Sequence, residues 1–200
     1  MQSQDLRAAV FLDRDGVIIK LVYNIEFGLI HTPLTPQQVE LNFGIVDFLK
    51  SAKKAGFLLI VISNQPNIGI KKMSEKQFQA VIDSMNSKLK KNGVVLDAEY
   101  YCLHHPFAEI KKYRKKCTCR KPKILLYKKA LKKFAIDIKR SWAIGDGVFD
   151  IVAGKTFGVK TILLANINEA AYFETLEKQL NGTSPDYIIK NIKDAKKIIE

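Results

Sequence analysis

Short continuous apolar runs alternate along this chain with longer stretches whose apolar residues recur at helical spacing. Residues 8–12 form the first apolar run, ended by charged residues and Gly16. Over 45–55, Ile45, Val46, Phe48, Leu49 and Ala52 make one face of an amphipathic helix, with Gly56 as its C-terminal stop. Residues 57–62 are uniformly apolar, the pattern of a strand buried on both sides. A helix over 74–91 opens on Ser-Glu-Lys-Gln, a capping box. Beyond it the pattern predicts a strand over 98–102, a helix over 122–134 with Pro122 near its start, and a strand over 142–144 that runs into Gly145-Asp146. A helix over 149–157 closed by Gly158, a strand over 159–164, a helix over 168–180, a strand over 187–189 and a last helix over 192–199 complete the series. No repeat or low-complexity linker interrupts it, so the chain reads as a single domain over 1–200. Strands alternating with helices imply an α/β fold, a mostly parallel sheet with helices on both faces. In such folds ligands bind beyond the carboxyl ends of the strands.

Composition narrows the class. The chain has 200 residues, 47% of them hydrophobic, which suffices for a soluble globular core. No apolar run approaches the length of a membrane span, and residues 1–7 are polar, unlike a secretory signal, so a cytoplasmic location is expected. The formal charge is +13, and residues 111–133 hold twelve Lys or Arg with no Asp or Glu. Most of this is a solvated lysine-rich surface, although some of it is placed to attract an anionic substrate. Nucleic acid is a less favoured partner. The three cysteines, Cys102, Cys117 and Cys119, lie in one short region, which points to a metal site rather than a disulfide framework.

The candidate chemistry sits at the strand ends. After the first strand comes Phe11-Leu12-Asp13-Arg14-Asp15-Gly16-Val17. Two carboxylates leaving a buried strand can hold a hard cation such as Mg2+. They can also divide phosphoryl transfer between a nucleophile and an acid/base. Alone, Asp-x-Asp-Gly is equally a polar turn. Ser63, directly after the second apolar run, can donate to a phosphate oxygen, and Asn64 and Arg120 are counted with it as phosphate- or substrate-binding residues. Lys121, ahead of a helix, can neutralise phosphoryl charge. Asp146 adds a third carboxylate at the same sheet edge, and Asp150 lies one helical turn further on, as a supporting acid or merely an acidic group near the helix N-terminus.

Taken in order, Asp13-x-Asp15-Gly16-Val17, Ser63, Lys121 and Gly145-Asp146 resemble the haloacid dehalogenase superfamily of phosphohydrolases, over roughly residues 8–165. The resemblance implies a Rossmann-like fold and an aspartyl-phosphate mechanism. Asp13 would be nucleophile and Mg2+ ligand, Asp15 the general acid/base with its backbone carbonyl on the metal, Ser63 and Lys121 phosphoryl-binding groups, and Asp146 the remaining protein ligand to Mg2+. Cys102-x-His104 and Cys117-x-Cys119-Arg120-Lys121-Pro122 further resemble the heptose-bisphosphate phosphatase and histidinol-phosphatase branch, which has no large cap domain and carries a small zinc loop, here 102–119. Its zinc ligands would be Cys102, His104, Cys117 and Cys119. The implied activity is a Mg-dependent phosphomonoesterase of sugar phosphates, removing the 7-phosphate of a manno-heptose 1,7-bisphosphate. Its rivals are a histidinol-phosphate phosphatase, a polynucleotide 3'-phosphatase, and a non-catalytic binding protein on the same fold. The chain departs from the branch at Pro66-Asn67-Ile68-Gly69, Lys123-Ile124-Leu125, Gly147 and the loop over 20–36, all where substrate contacts are expected.

Overall fold

A computed structural model describes residues 5–26, 28–165, 178, 180 and 182–199. Six parallel strands form one sheet: β1 (Ala9–Leu12), β4 (Leu58–Asn64), β5 (Ala98–Cys102), β6 (Trp142–Gly145), β7 (Lys160–Leu164) and β8 (Tyr187–Ile189). Their spatial order is β5-β4-β1-β6-β7-β8. The helices α1 (Ile45–Lys54), α2 (Glu75–Lys91), α3 (Leu125–Lys133) and α4 (Val148–Phe157) make the crossovers, and α5 (Ala195–Ile199) ends the chain.

β1 is apolar throughout because both of its faces are covered. Val10 and Leu12 pack into one core with α1, α2 and α5, while Ala9 and Phe11 pack into a second core with Leu126, Tyr127 and Ala130 of α3. All four residues are at most 1% exposed, and burying a side chain such as Phe11 or Leu12 is worth about 1.5–3 kcal/mol. This anchors the residue that follows, Asp13, whose backbone N–H donates to Ile144 O at 3.0 Å.

Most predicted elements are present within a residue or two. The capping box of α2 forms, with Gln77 N–H donating to Ser74 Oγ at 3.1 Å and Ser74 N–H to Gln77 Oε1 at 2.8 Å. Gly56 and Gly158 lie at φ +88° and +94°, as helix stops require. Three boundaries differ. β4 runs on to Asn64, so Ser63 and Asn64 end the strand rather than follow it, paired with Tyr101 and Cys102. α3 starts at Leu125 instead of Pro122, because residues 118–125 close turns through Lys123 N–H to Arg120 O and Leu125 N–H to Thr118 O. Residues 192–194 form a 3-10 turn before α5. Apart from Lys178 and Leu180, the helix predicted over 168–180 lies outside the described residues.

Between β1 and α1 the chain inserts a two-stranded antiparallel hairpin, β2 (Val22–Asn24) and β3 (Leu29–His31), which the sequence pattern does not predict. Its base is tied to the loop after β4 by Asn67 Nδ2 donating to Thr32 Oγ1 at 2.8 Å. Among the described residues no helix is long and apolar enough to cross a membrane.

Candidate active site

The carboxyl ends of three adjacent strands, β4, β1 and β6, bring together Ser63, Asp13 and Asp146. The chain then has to turn sharply at Gly16 without striking β6. Gly16 adopts φ +74°, and a Cβ there would lie 1.8 Å from Asp146 Oδ2. Only glycine allows this approach. Asn42 fixes the turn from outside, its Nδ2 donating to Gly16 O at 2.7 Å and Val17 O at 3.2 Å.

Lys121 reaches the centre of the site. Its Nζ lies 3.1 Å from Asp13 Oδ1, donates to Ile62 O at 2.6 Å, and pairs with Asp150 Oδ1 through a short contact. Burial alone would lower the pKa of this lysine, but Asp13 and Asp150 outweigh it and hold the ammonium protonated. Asp150, expected as a supporting acid, therefore grips Lys121 directly, and its Oδ2 accepts from Gly147 N–H at 3.3 Å at the start of α4. Burial, with Asp13 adding to it against Lys121, pushes Asp150 up to about 6. Asp146 is raised well above the carboxylate range, first by burial and then by Asp13 and Asp150.

One oxygen each of Asp13, Asp146 and Asp150 lies within 4.8 Å of the others. Such crowding of hard oxygen donors, with Lys121 as the adjacent cation, fits Mg2+. The side chain of Asp15 is not in this cluster. It turns to Arg14 and Gln65: Arg14 Nε donates to Oδ1 and Nη2 to Oδ2, both at 3.0 Å, and Gln65 Nε2 donates to Oδ2 at 2.6 Å. Burial raises the Asp15 pKa, with Asp13 adding to it and Arg14 opposing it, the direction a proton donor requires.

Ser63 is buried, and its Oγ accepts from Gln65 Nε2 at 2.9 Å. Asn64, expected among the substrate-binding residues, holds the Lys121 backbone with both ends of its amide: Nδ2 donates to Lys121 O at 3.1 Å and Oδ1 accepts from Lys121 N–H at 2.9 Å. It positions Lys121. Arg120 is half-buried, with Nη1 donating to His104 O at 3.4 Å. Gln65 has no role assigned from sequence. Its only signal is its place after Ser63-Asn64, which gives no hint of which way its amide points.

A second cluster lies beside the site. Cys119 Sγ is 3.1 Å from Cys102 Sγ and 3.2 Å from His104 Nδ1, and Cys117 Sγ is 3.6 Å from Cys102 Sγ. A tetrahedron with metal–sulfur bonds of about 2.3 Å has edges of about 3.8 Å, close to these separations, and the soft donor set suits zinc. Burial, then Lys115 and Lys129, lowers the His104 pKa and keeps the imidazole neutral, as a ligand must be. His105 stays outside the cluster and accepts at Nδ1 from Phe107 N–H.

Comparison with known proteins agrees with the fold. A family model described as HAD-hydrolase-like matches residues 118–195. The chain is 38% identical over 173 residues to the D-glycero-beta-D-manno-heptose-1,7-bisphosphate 7-phosphatase of Haemophilus ducreyi, covering 86% of this chain and 90% of that one. It is 34% identical to the enzyme of that description from Pasteurella multocida over 98% of both chains. In fold it is similar to the D,D-heptose 1,7-bisphosphate phosphatase of B. bronchiseptica, whose crystal structure holds magnesium and phosphate, with a TM-score of 0.75, 20% identity and coverage of 96% and 97%. A putative HAD-like phosphatase from Mesorhizobium loti gives a TM-score of 0.72 at 24% identity over 92% of this chain and 90% of that one. The chain belongs to the haloacid dehalogenase-like hydrolases. Within them it falls in the phosphatase family that the heptose-bisphosphate relatives define.

Proposed function

We propose that this protein is a Mg-dependent phosphomonoesterase that removes the 7-phosphate of D-glycero-D-manno-heptose 1,7-bisphosphate through an aspartyl phosphate on Asp13. The observation that carries the chemistry is the placing of Asp13. Among the salt-bridged acids of the site it is the most exposed, with 15% of its side chain exposed against 8% for Asp15 and Asp150, and Lys121 lies against its Oδ1. Identity of 34–38% over most of the chain supports the heptose substrate.

Asp13 attacks phosphorus in line with the leaving oxygen, and the P–O bond to the sugar breaks as the bond to Asp13 forms. Asp15 gives its proton to the departing alkoxide. It then takes a proton from the water that attacks the aspartyl phosphate, which regenerates Asp13. Ser63 Oγ already accepts from Gln65, so its own O–H is free to donate to a phosphoryl oxygen. Lys121 offsets charge on both the nucleophile and the phosphoryl group. Asp13, Asp146 and the Asp15 carbonyl would hold Mg2+, which when bound polarises the phosphoryl oxygens. Cys102, His104, Cys117 and Cys119 would hold a structural zinc that fixes the loop ahead of Arg120 and Lys121.

The test is phosphate release from a panel of the heptose bisphosphate, histidinol phosphate, other sugar phosphates and a 3'-phosphorylated oligonucleotide. The heptose bisphosphate is expected to give the highest kcat/KM, and Asp13→Asn is expected to abolish turnover in a folded protein. Preference for another member of the panel refutes the substrate assignment. Normal turnover in Asp13→Asn refutes the nucleophile.

A further inference from the structure

Arg14 is the largest fully buried side chain in the described structure, at 0% exposure. It stands between the two catalytic carboxylates in sequence, yet its guanidinium turns away from solvent and forks onto Asp15. Its Nη2 also donates to Gln65 Oε1 at 2.7 Å. The rings of Phe78 and Tyr101 lie 5.6 and 6.0 Å from the guanidinium carbon. Nη1 is buried without a hydrogen-bond partner, the only such side-chain nitrogen or oxygen among the described residues.

Stability alone does not account for this arrangement. A buried ion pair seldom stabilises a fold more than apolar residues of similar volume, and an orphaned buried donor works against it. What the arrangement does provide is orientation. Gln65 Oε1 faces Arg14, so both hydrogens of its amide nitrogen are committed, one to Asp15 Oδ2 and one to Ser63 Oγ. A carboxylate has about four lone-pair positions. Arg14 Nη2 and Gln65 Nε2 fill the two on Oδ2, while Oδ1 accepts one hydrogen bond, from Arg14 Nε, with Nη2 also 3.0 Å away, so the one position without a hydrogen bond is on Oδ1.

We propose that Arg14 and Gln65 are positioning residues that clamp Asp15 so that its transferable proton sits on Oδ1. The inference rests on Asp15 being the acid/base. In the first step the P–O bond to the leaving alcohol breaks, the bond to Asp13 forms, and the Oδ1 proton passes to the leaving oxygen. Arg14 and Gln65 touch neither phosphorus nor the leaving group. They act only through Asp15.

The dependence of rate on the leaving group tests this. kcat/KM reports the steps up to departure of the alcohol, and an alkoxide needs a proton there while p-nitrophenolate does not. Arg14→Lys and Gln65→Leu should each lower kcat/KM at least tenfold on the best alkyl phosphate of the panel, and less than about threefold on p-nitrophenyl phosphate. Asp15→Asn sets the benchmark with the same signature in larger measure. Arg14→Lys keeps the buried charge while removing the fork onto Asp15, so it decides the question alone if Gln65→Leu does not fold. Loss of equal size on both substrates, or alkyl-phosphate activity within threefold of the parent protein, overturns the clamp. Equal losses in Asp15→Asn overturn the acid assignment, and the clamp with it.

Discussion

Replacing Gly16 with alanine separates two costs that the structure predicts at one position. The first is conformational: φ is +74°, and a residue with a Cβ pays about 1–2 kcal/mol in that region. The second is steric. The new Cβ falls 1.8 Å from Asp146 Oδ2 and 2.5 Å from Asp146 Cγ, so the carboxylate must leave its place. Overpacking a buried site costs typically about 1–3 kcal/mol more. Gly56 supplies the control, since it lies at φ +88° and a Cβ added there meets nothing within 4 Å. In thermal unfolding, Gly56→Ala should lose only the conformational part, about 2–8 °C at 2–4 °C per kcal/mol for a chain of this size. Gly16→Ala should lose roughly twice that. A displaced Asp146 should also raise the Mg2+ concentration for half-maximal phosphatase activity by about tenfold or more, with no change in Gly56→Ala. Equal midpoints for the two variants, together with an unchanged Mg2+ requirement, would refute the reasoning.

Cys117→Ser is expected to cut bound zinc from about one per chain to well under half and to lower the unfolding midpoint; a full zinc complement on metal analysis would remove Cys117 from the ligand set. Asp186 joins β7 to β8: it accepts from Thr161 N–H at 2.6 Å and Thr161 Oγ1 at 3.0 Å and pairs with Lys155. Burial would raise its pKa, but these contacts outweigh burial and hold it below the usual value. A depressed carboxylate stabilises the fold above its unfolded pKa and loses that stability as pH falls through the folded value. Asp186→Asn should therefore cost about 1–2 kcal/mol at pH 7, discounted for the partly exposed lysine, and progressively less as pH falls through the folded value. A penalty that does not shrink as pH falls, in urea unfolding, would contradict this assignment.

What was legible in the sequence was what local rules determine. The Ser74 capping box, the glycine stops at 56 and 158 and the uniform apolarity of β1 and of residues 58–62 in β4 each depend on neighbours in the chain or on burial of a whole strand. The strand-end acids were legible because each follows such a strand. The hairpin β2–β3 was not, since Tyr23, Ile25, Leu29 and Ile30 are exposed and no alternation marks a buried face. Nor were the partners of Lys121 and Asp15. Asp150 is 29 residues from Lys121 and Gln65 is 50 from Asp15, and only the sheet order brings them into contact. The same applies to Asn64, whose amide holds the Lys121 backbone 57 residues away.

The charges at the strand ends explain why a basic surface and an acidic site belong to one protein. Asp13, Asp15, Asp146 and Asp150 lie together with two cations, Lys121 and Arg14. Arg14 is spent on Asp15, and Lys121 is shared between Asp13 and Asp150, so four acids face two cations. Burial and its acidic neighbours raise the Asp146 pKa accordingly, against the pull of Lys121. Without a divalent ion such a site repels the dianionic phosphate it must bind. Attraction at long range must then come from elsewhere, and the excess of thirteen positive charges supplies it. The surface draws the anion toward the protein, and neutralisation of the carboxylates decides whether it can enter. The two effects respond differently to solution conditions. Surface attraction fades as added salt screens it over about 8–10 Å, whereas the buried pairs of Lys121 and Arg14 keep their geometry. Added salt should therefore slow substrate capture, seen in kcat/KM, far more than turnover of bound substrate, seen in kcat.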